Sequence, residues 1–135
     1  MADIRQVTPG FAVAPQIEPD DMAELAERGF KLVINNRPDG ESPDQPTSAE
    51  MASAADIAGL DYYYIPVRGG PGRNEVEAVR AAVSEAEGPV LAFCRSGTRS
   101  IITWAIGEAV SGERSNDELV RLGRDAGYDL SGVLG

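Results

Sequence analysis

The chain has 135 residues, 42% hydrophobic and 25% charged, with a formal net charge of −10 and no histidine. That length suits one domain, since domains run to roughly 100–200 residues, and the composition is that of a packed chain rather than a disordered one. The acidic balance argues against nucleic acid or an anionic membrane as partner; the missing imidazoles exclude Ser-His-Asp and Cys-His hydrolases, histidine-ligated metals and imidazole proton shuttles.

The first apolar run, "FAVAPQI" (Phe11–Ile17), predicts a short strand and a turn. Pro19 and two acids then open a helix whose Met22, Leu25 and Ala26 share a face and which Gly29 ends. Phe30–Asn35 predicts a buried strand, and "NNRPDGESPDQP" beyond it is rich in turn formers. Thr47 and Glu50 make the capping box of a helix running to Gly59. "LDYYYIPV" (Leu60–Val67) is a third strand, its tyrosines read as packing residues, as is Trp104; "RGGPGR" after it is a flexible loop. Asn74 and Glu77 are read as the cap of a helix with Val76, Val79 and Val83 on one side. "PVLAF" is a fourth strand and "SIITWAIGEAV" a buried helix, and Ser115 with Glu118 caps a further helix ending near Gly127.

Strands separated by helices predict βαβ crossovers, hence a single α/β domain over residues 1–135 with a mainly parallel sheet covered on both faces. There is no apolar leader at the N-terminus, and no stretch approaches the roughly 18 apolar residues of a membrane span. A cytoplasmic protein is expected, and a single cysteine fits a reducing compartment.

The chemistry concentrates in "PVLAFCRSGTRS" (Pro89–Ser100), which holds that cysteine, Cys94. A thiol present only for packing needs no arginine, hydroxyls or glycine behind it. Sites in open α/β folds form at the carboxyl ends of strands. Three loops leave such ends, and they carry Arg37, Arg68, Arg73, Arg95 and Arg99, five of the 12 cationic residues. The amides of residues 95 to 100 are expected to curl around one point at a helix N-terminus, which favours negative charge, with Gly97 supplying the backbone angles. Cys94 at the base would act as a thiolate nucleophile, Arg99 would hold an oxyanion through two parallel N–H bonds, and Ser96, Thr98 or Ser100 would donate to the sulfur. Arg95, Ser96, Gly97, Thr98, Ser100, Arg37 and Asp39 are the expected substrate-binding set. Arg37 fits a site-lining or an exposed loop position equally, and Asp39 either an acid folded over the site or part of a Pro-Asp-Gly turn. Arg68 and Arg73 flank glycines and are read as mobile. No metal or cofactor is expected.

"CRSGTRS" resembles the active-site loop of the rhodanese sulfurtransferases and the cysteine-dependent protein phosphatases. Taken in order with "INNRPDGE", "QPTSAE", "YYYIPV" and "AGYDLS", it makes the chain from Phe11 to about Ser131 similar to one bacterial family. That family is the phosphatase-like domain of the β-lactamase-hydrolase-like proteins, some of which are fused to persulfide dioxygenases. The resemblance implies a fold like that of dual-specificity phosphatases, with a central sheet of four or five strands flanked by helices. Protein phosphatases separate cysteine and arginine by one residue more than the four found here, usually with a histidine where this chain has Phe93. Dual-specificity phosphatases also place an aspartate after the strand matching "YYYIPV", where this chain reads "RGGPGRN" with no acid before Glu75. Both departures lead to the expectation of a sulfurtransferase. Cys94 would take sulfur from thiosulfate or a persulfide and pass it to an external thiol, with a persulfide dioxygenase as a partner the resemblance suggests. The alternatives are a phosphatase working through a phosphocysteine, with Asp39 or Glu75 as acid, and a non-catalytic anion-binding module.

Overall fold

In the computed structural model residues 2–134 are described; Met1 and Gly135, the ends of the expected domain, lie outside them. Five strands form one sheet: β1 (Arg5–Thr8), β2 (Phe11–Ala14), β3 (Leu32–Asn35), β4 (Asp61–Tyr64) and β5 (Val90–Phe93), in the spatial order β1-β2-β5-β3-β4. β2, β5, β3 and β4 run parallel, and β1 joins the edge antiparallel to β2. The sequence pattern leaves β1 out because Arg-Gln-Val-Thr contains no apolar run, and only Val7 in it is buried. The register aligns Ala14, Phe93, Asn35 and Tyr64, so the four parallel strands end in one row.

The helices are α1 (Met22–Glu27), preceded by a 3-10 turn over Pro19–Asp21, α2 (Ser48–Ala58), α3 (Arg73–Glu85), α4 (Thr98–Ser111), α5 (Asn116–Asp125) and α6 (Ser131–Leu134). Side chains alternate along each strand between two apolar layers. Ala12, Ala14, Val33, Leu91 and Phe93 pack with Met22 and Leu25 of α1 and with Met51 and Ala55 of α2. Phe11, Val13, Leu32, Ile34, Val90 and Ala92 pack with Val79 of α3, Ile101 and Trp104 of α4 and Leu119 of α5. Trp104 stacks on Phe11 with ring centroids 4.8 Å apart. Both faces are covered, as a parallel sheet requires. No helix among the described residues is long and apolar enough to cross a membrane.

The expected caps of α2 and α5 form. Thr47 Oγ1 accepts the Glu50 N–H at 3.1 Å while Glu50 accepts the Thr47 N–H at 3.1 Å, and Ser115 accepts the Glu118 N–H at 3.2 Å. α3 differs: it starts at Arg73, and the Gly72 N–H donates to Glu75 Oε1 at 2.8 Å. Asn74 and Glu77 therefore lie within the helix, because Glu75 already satisfies the donor ahead of it. Tyr63 and Tyr64 are 50% and 39% exposed rather than packed, since β4 is an edge strand. Tyr62 does turn inward, where its hydroxyl accepts from Asn35 Nδ2 at 2.9 Å.

Candidate active site

Each parallel strand delivers something to the row of carboxyl ends. β5 runs into Cys94, the next position on the side that Val90 and Ala92 share with α3 and α4. Cys94 has no exposed surface. Its sulfur accepts the Gly97 N–H at 3.2 Å. Gly97 has φ +90° and is the residue immediately before α4. A side chain is excluded there on two counts: the left-handed backbone, and the Tyr128 hydroxyl that a Cβ would strike.

The loop between Cys94 and α4 is held with its carbonyls turned outward. Arg95 C=O accepts the Gln16 N–H at 3.2 Å, contributed by the segment after β2, and Gly97 C=O accepts the Ile101 N–H at 3.0 Å. Ser96 C=O accepts the Tyr128 hydroxyl at 2.9 Å. Of the amides expected to surround the sulfur, Gly97 supplies the hydrogen bond, while the Thr98 N–H leans on Ser96 Oγ at 3.4 Å. The three hydroxyls point elsewhere than expected. Ser96 Oγ donates to Thr98 Oγ1 at 2.9 Å, and buried Ser100 donates to Asn36 Oδ1 at 2.8 Å. The reason is competition: Asn36, buried at the end of β3, offers Ser100 a stronger oxygen acceptor than a thiol does.

Arg99 is fixed from two sides. Its Nη1 and Nη2 donate to the two carboxylate oxygens of Glu41 at 2.8 and 2.9 Å, and Nη1 also donates to the Val67 carbonyl beyond β4 at 2.8 Å. Hydrogen bonding to Glu41 raises its pKa above the ordinary arginine value; burial opposes this, and negative charge at Cys94 adds to it. Arg37, 5% exposed, takes the other side of Glu41: its Nε donates at 3.0 Å, and its Nη1 donates to Gln16 Oε1 at 3.0 Å. Arg37 is thus a buried strut behind the site rather than an exposed loop residue. Between two guanidiniums the Glu41 carboxyl is lowered to about 2, through hydrogen bonds from Arg99 first and Arg37 second, against the opposing effect of burial.

Other expected participants make no hydrogen bond to the sulfur. Asp39 accepts the Ser48 N–H at 2.8 Å, capping α2, and its own N–H donates to Tyr64 Oη at 2.9 Å. Glu75 caps α3. Arg95 is exposed and lines a groove with Gln16, Arg37 and Asp44; Arg68 is exposed in the loop beyond Val67, and Arg73, also exposed, is the first residue of α3 rather than part of that loop. Among the described residues no three metal-ligating side chains come together. Glu41, Gln16 and Tyr128 were not anticipated. The available signal for Glu41 was an acid four residues beyond Arg37; for Tyr128 it was the Gly-Tyr of "AGYDLS".

The family model for the phosphatase-like domain of β-lactamase hydrolase-like proteins matches residues 3–111. The chain belongs to that family. The curated β-lactamase hydrolase-like protein of Agrobacterium fabrum is 43% identical over 112 residues, covering 82% of this chain and 26% of its own. The chain spans about a quarter of the length of the curated relatives it matches. A Neisseria meningitidis structure described as a candidate phosphatase superposes with TM-score 0.85 at 33% identity, over 96% of this chain and 92% of its own. The P. aeruginosa protein TpbA in complex with phosphotyrosine shares the fold, with TM-score 0.65 at 19% identity over 96% and 86% of the two chains. This phosphatase-like domain thus has the expected α/β fold of the dual-specificity-phosphatase type. The same comparisons favour the phosphatase alternative over the sulfurtransferase expected from the loop spacing.

Proposed function

We propose that this domain hydrolyses phosphomonoesters with good leaving groups, aryl esters above all, through a phosphocysteine at Cys94. The Cys94 thiolate attacks phosphorus; the P–O ester bond breaks, and its electron pair leaves with the aryloxide, which takes a proton from water. Water then cleaves the P–S bond, releasing phosphate and restoring the thiolate. The observation that carries this reading is the Arg99 guanidinium, locked by Glu41 and Val67 beside a sulfur that already accepts a main-chain N–H. The N–H groups of Arg99 that Glu41 and Val67 do not use are the ones assigned to an oxyanion. The family and the phosphotyrosine complex of TpbA support the substrate class.

The restriction to good leaving groups follows from the carboxylates. Asp39 and Glu75, the two acids the sequence offered, are both engaged as helix caps. An alkoxide without a proton donor is a poor leaving group. The expected result is vanadate-sensitive hydrolysis of p-nitrophenyl phosphate, with kcat/KM falling steeply along a series of aryl esters of increasing basicity. Cys94→Ser should lose at least about a thousandfold in kcat. Absence of hydrolysis across the series would overturn the proposal.

The absent acid also favours a second reading, sulfur transfer, because sulfite leaving thiosulfate needs no proton. Thiosulfate would then add one sulfur, about 32 Da, to Cys94. An external thiol or cyanide would collect it, since the chain has no second cysteine. Mass spectrometry after thiosulfate, with a thiocyanate assay, separates the two chemistries.

A further inference from the structure

One peptide group connects a residue far along the chain to the nucleophile. The Ser96–Gly97 peptide donates its N–H to Cys94 Sγ at 3.2 Å, while its carbonyl accepts from the Tyr128 hydroxyl at 2.9 Å. A trans peptide is planar, so its N–H and C=O point in opposite directions and fixing one end fixes the other. We propose that Tyr128 is a positioning residue for the nucleophile: by holding the Ser96 carbonyl outward it keeps the Gly97 N–H aimed at the sulfur.

The loop needs such a device at this position. Gly97 resists rotation of the adjoining peptide less than any other residue would. Were that peptide to flip, a carbonyl oxygen would face the sulfur and repel the thiolate. The carbonyls of Arg95 and Gly97, on either side, are held by main-chain N–H groups, whereas that of Ser96 is held by a side chain. Tyr128 is itself anchored. Its N–H donates to Gly123 C=O at 2.8 Å, and the Arg5 guanidinium lies 5.4 Å from its ring centre. Arg5 Nη1 in turn donates to Ala126 C=O at 3.2 Å. Burial raises the phenol above its ordinary value, with Arg5 opposing and negative charge at Cys94 adding, so it keeps its proton and remains a donor at neutral pH. A hydroxyl bonded to the carbonyl also polarises the peptide and strengthens its N–H as a donor.

The proposal rests on Cys94 being the nucleophile, though not on which anion it attacks. The experiment compares iodoacetamide alkylation of Cys94 and steady-state turnover in wild type, Tyr128→Phe and, as control, Tyr63→Phe on the edge strand, a residue 50% exposed. Wild type is expected to react faster than free cysteine at neutral pH. Tyr128→Phe is expected to slow both alkylation and kcat about tenfold, the worth of one hydrogen bond to a charged group, with KM unchanged. The Gly97 amide proton resonance should shift upfield in the same variant, while Tyr63→Phe matches wild type. Tyr128→Phe reacting as fast as wild type, or raising KM with kcat and the Gly97 resonance unchanged, overturns this proposal alone. Wild type reacting no faster than free cysteine overturns the nucleophile beneath it.

Discussion

Glu41 decides where the Arg99 guanidinium sits, and its titration makes that role measurable. In the unfolded chain its carboxyl titrates near the model-compound value of 4.5; in the fold it is lowered to about 2. A carboxylate lowered by folding contributes stability in full above its unfolded value and loses it as pH falls through the folded one. Replacing Glu41 by glutamine removes that contribution. The difference in urea midpoint between wild type and Glu41→Gln should hold steady from neutral pH down to about 4.5 and close toward pH 2. The contribution is modest, since Glu41 is 30% exposed and Arg99 20%, and solvent screens the pair. The larger effect should be on binding: with Arg99 unpinned, KM for an anionic substrate should rise roughly tenfold, read from steady-state kinetics at neutral pH.

At the scale of elements, helix caps and the nucleophile loop should separate cleanly under mutation. Thr47→Ala removes a cap and should cost about 1 kcal/mol in urea unfolding, leaving the rate of Cys94 alkylation as in wild type, because the Thr47 side chain bonds to Glu50 of its own helix and not to the Cys94 loop. Gly97→Ala should do the opposite. Its Cβ would strike the Tyr128 hydroxyl and come within 3.3 Å of the Ala14 carbonyl, at φ +90°. Activity should fall by at least about tenfold through displacement of the loop, with a smaller change in the thermal midpoint. The same scale shows what could be read beforehand. The parallel strands β2, β3 and β5 were legible because they are apolar runs buried on both faces, β4 because of its run of three tyrosines, and the caps of α2 and α5 because Thr-x-x-Glu and Ser-x-x-Glu have a short-range cause. β1 was not, since its pairing and not its composition makes it a strand. Cys94, Gly97 and Arg99 could be picked out because their chemistry lies in one short loop. Glu41 lay inside what reads as a turn, and Tyr128 reaches Ser96 across 32 residues, a contact no local pattern encodes.

For the whole molecule, the segment after α4 matters more than its position suggests. The family match ends at residue 111. Yet Leu119 and Leu130, 0% and 1% exposed, complete the apolar layer against Trp104, and Tyr128 is bonded to the Cys94 loop. A chain ending at Ser111 should fail to give a cooperative urea transition, and Leu119→Ala should cost roughly 3 kcal/mol in the intact chain.

The sheet order carries a consequence for how the thiol acquires its setting. β5 is the last strand in the chain but lies between β2 and β3, the second and third. The slot must stay open until residue 93 has emerged and inserted, and such distant pairings close slowly. Before that insertion Cys94 lies on a coil without the Gly97 amide at its sulfur, so under the function proposed above neither a nascent chain nor a partly collapsed one would carry the reactive group prematurely. The proposed reactivity would then arise in the same event that joins the two halves of the sheet.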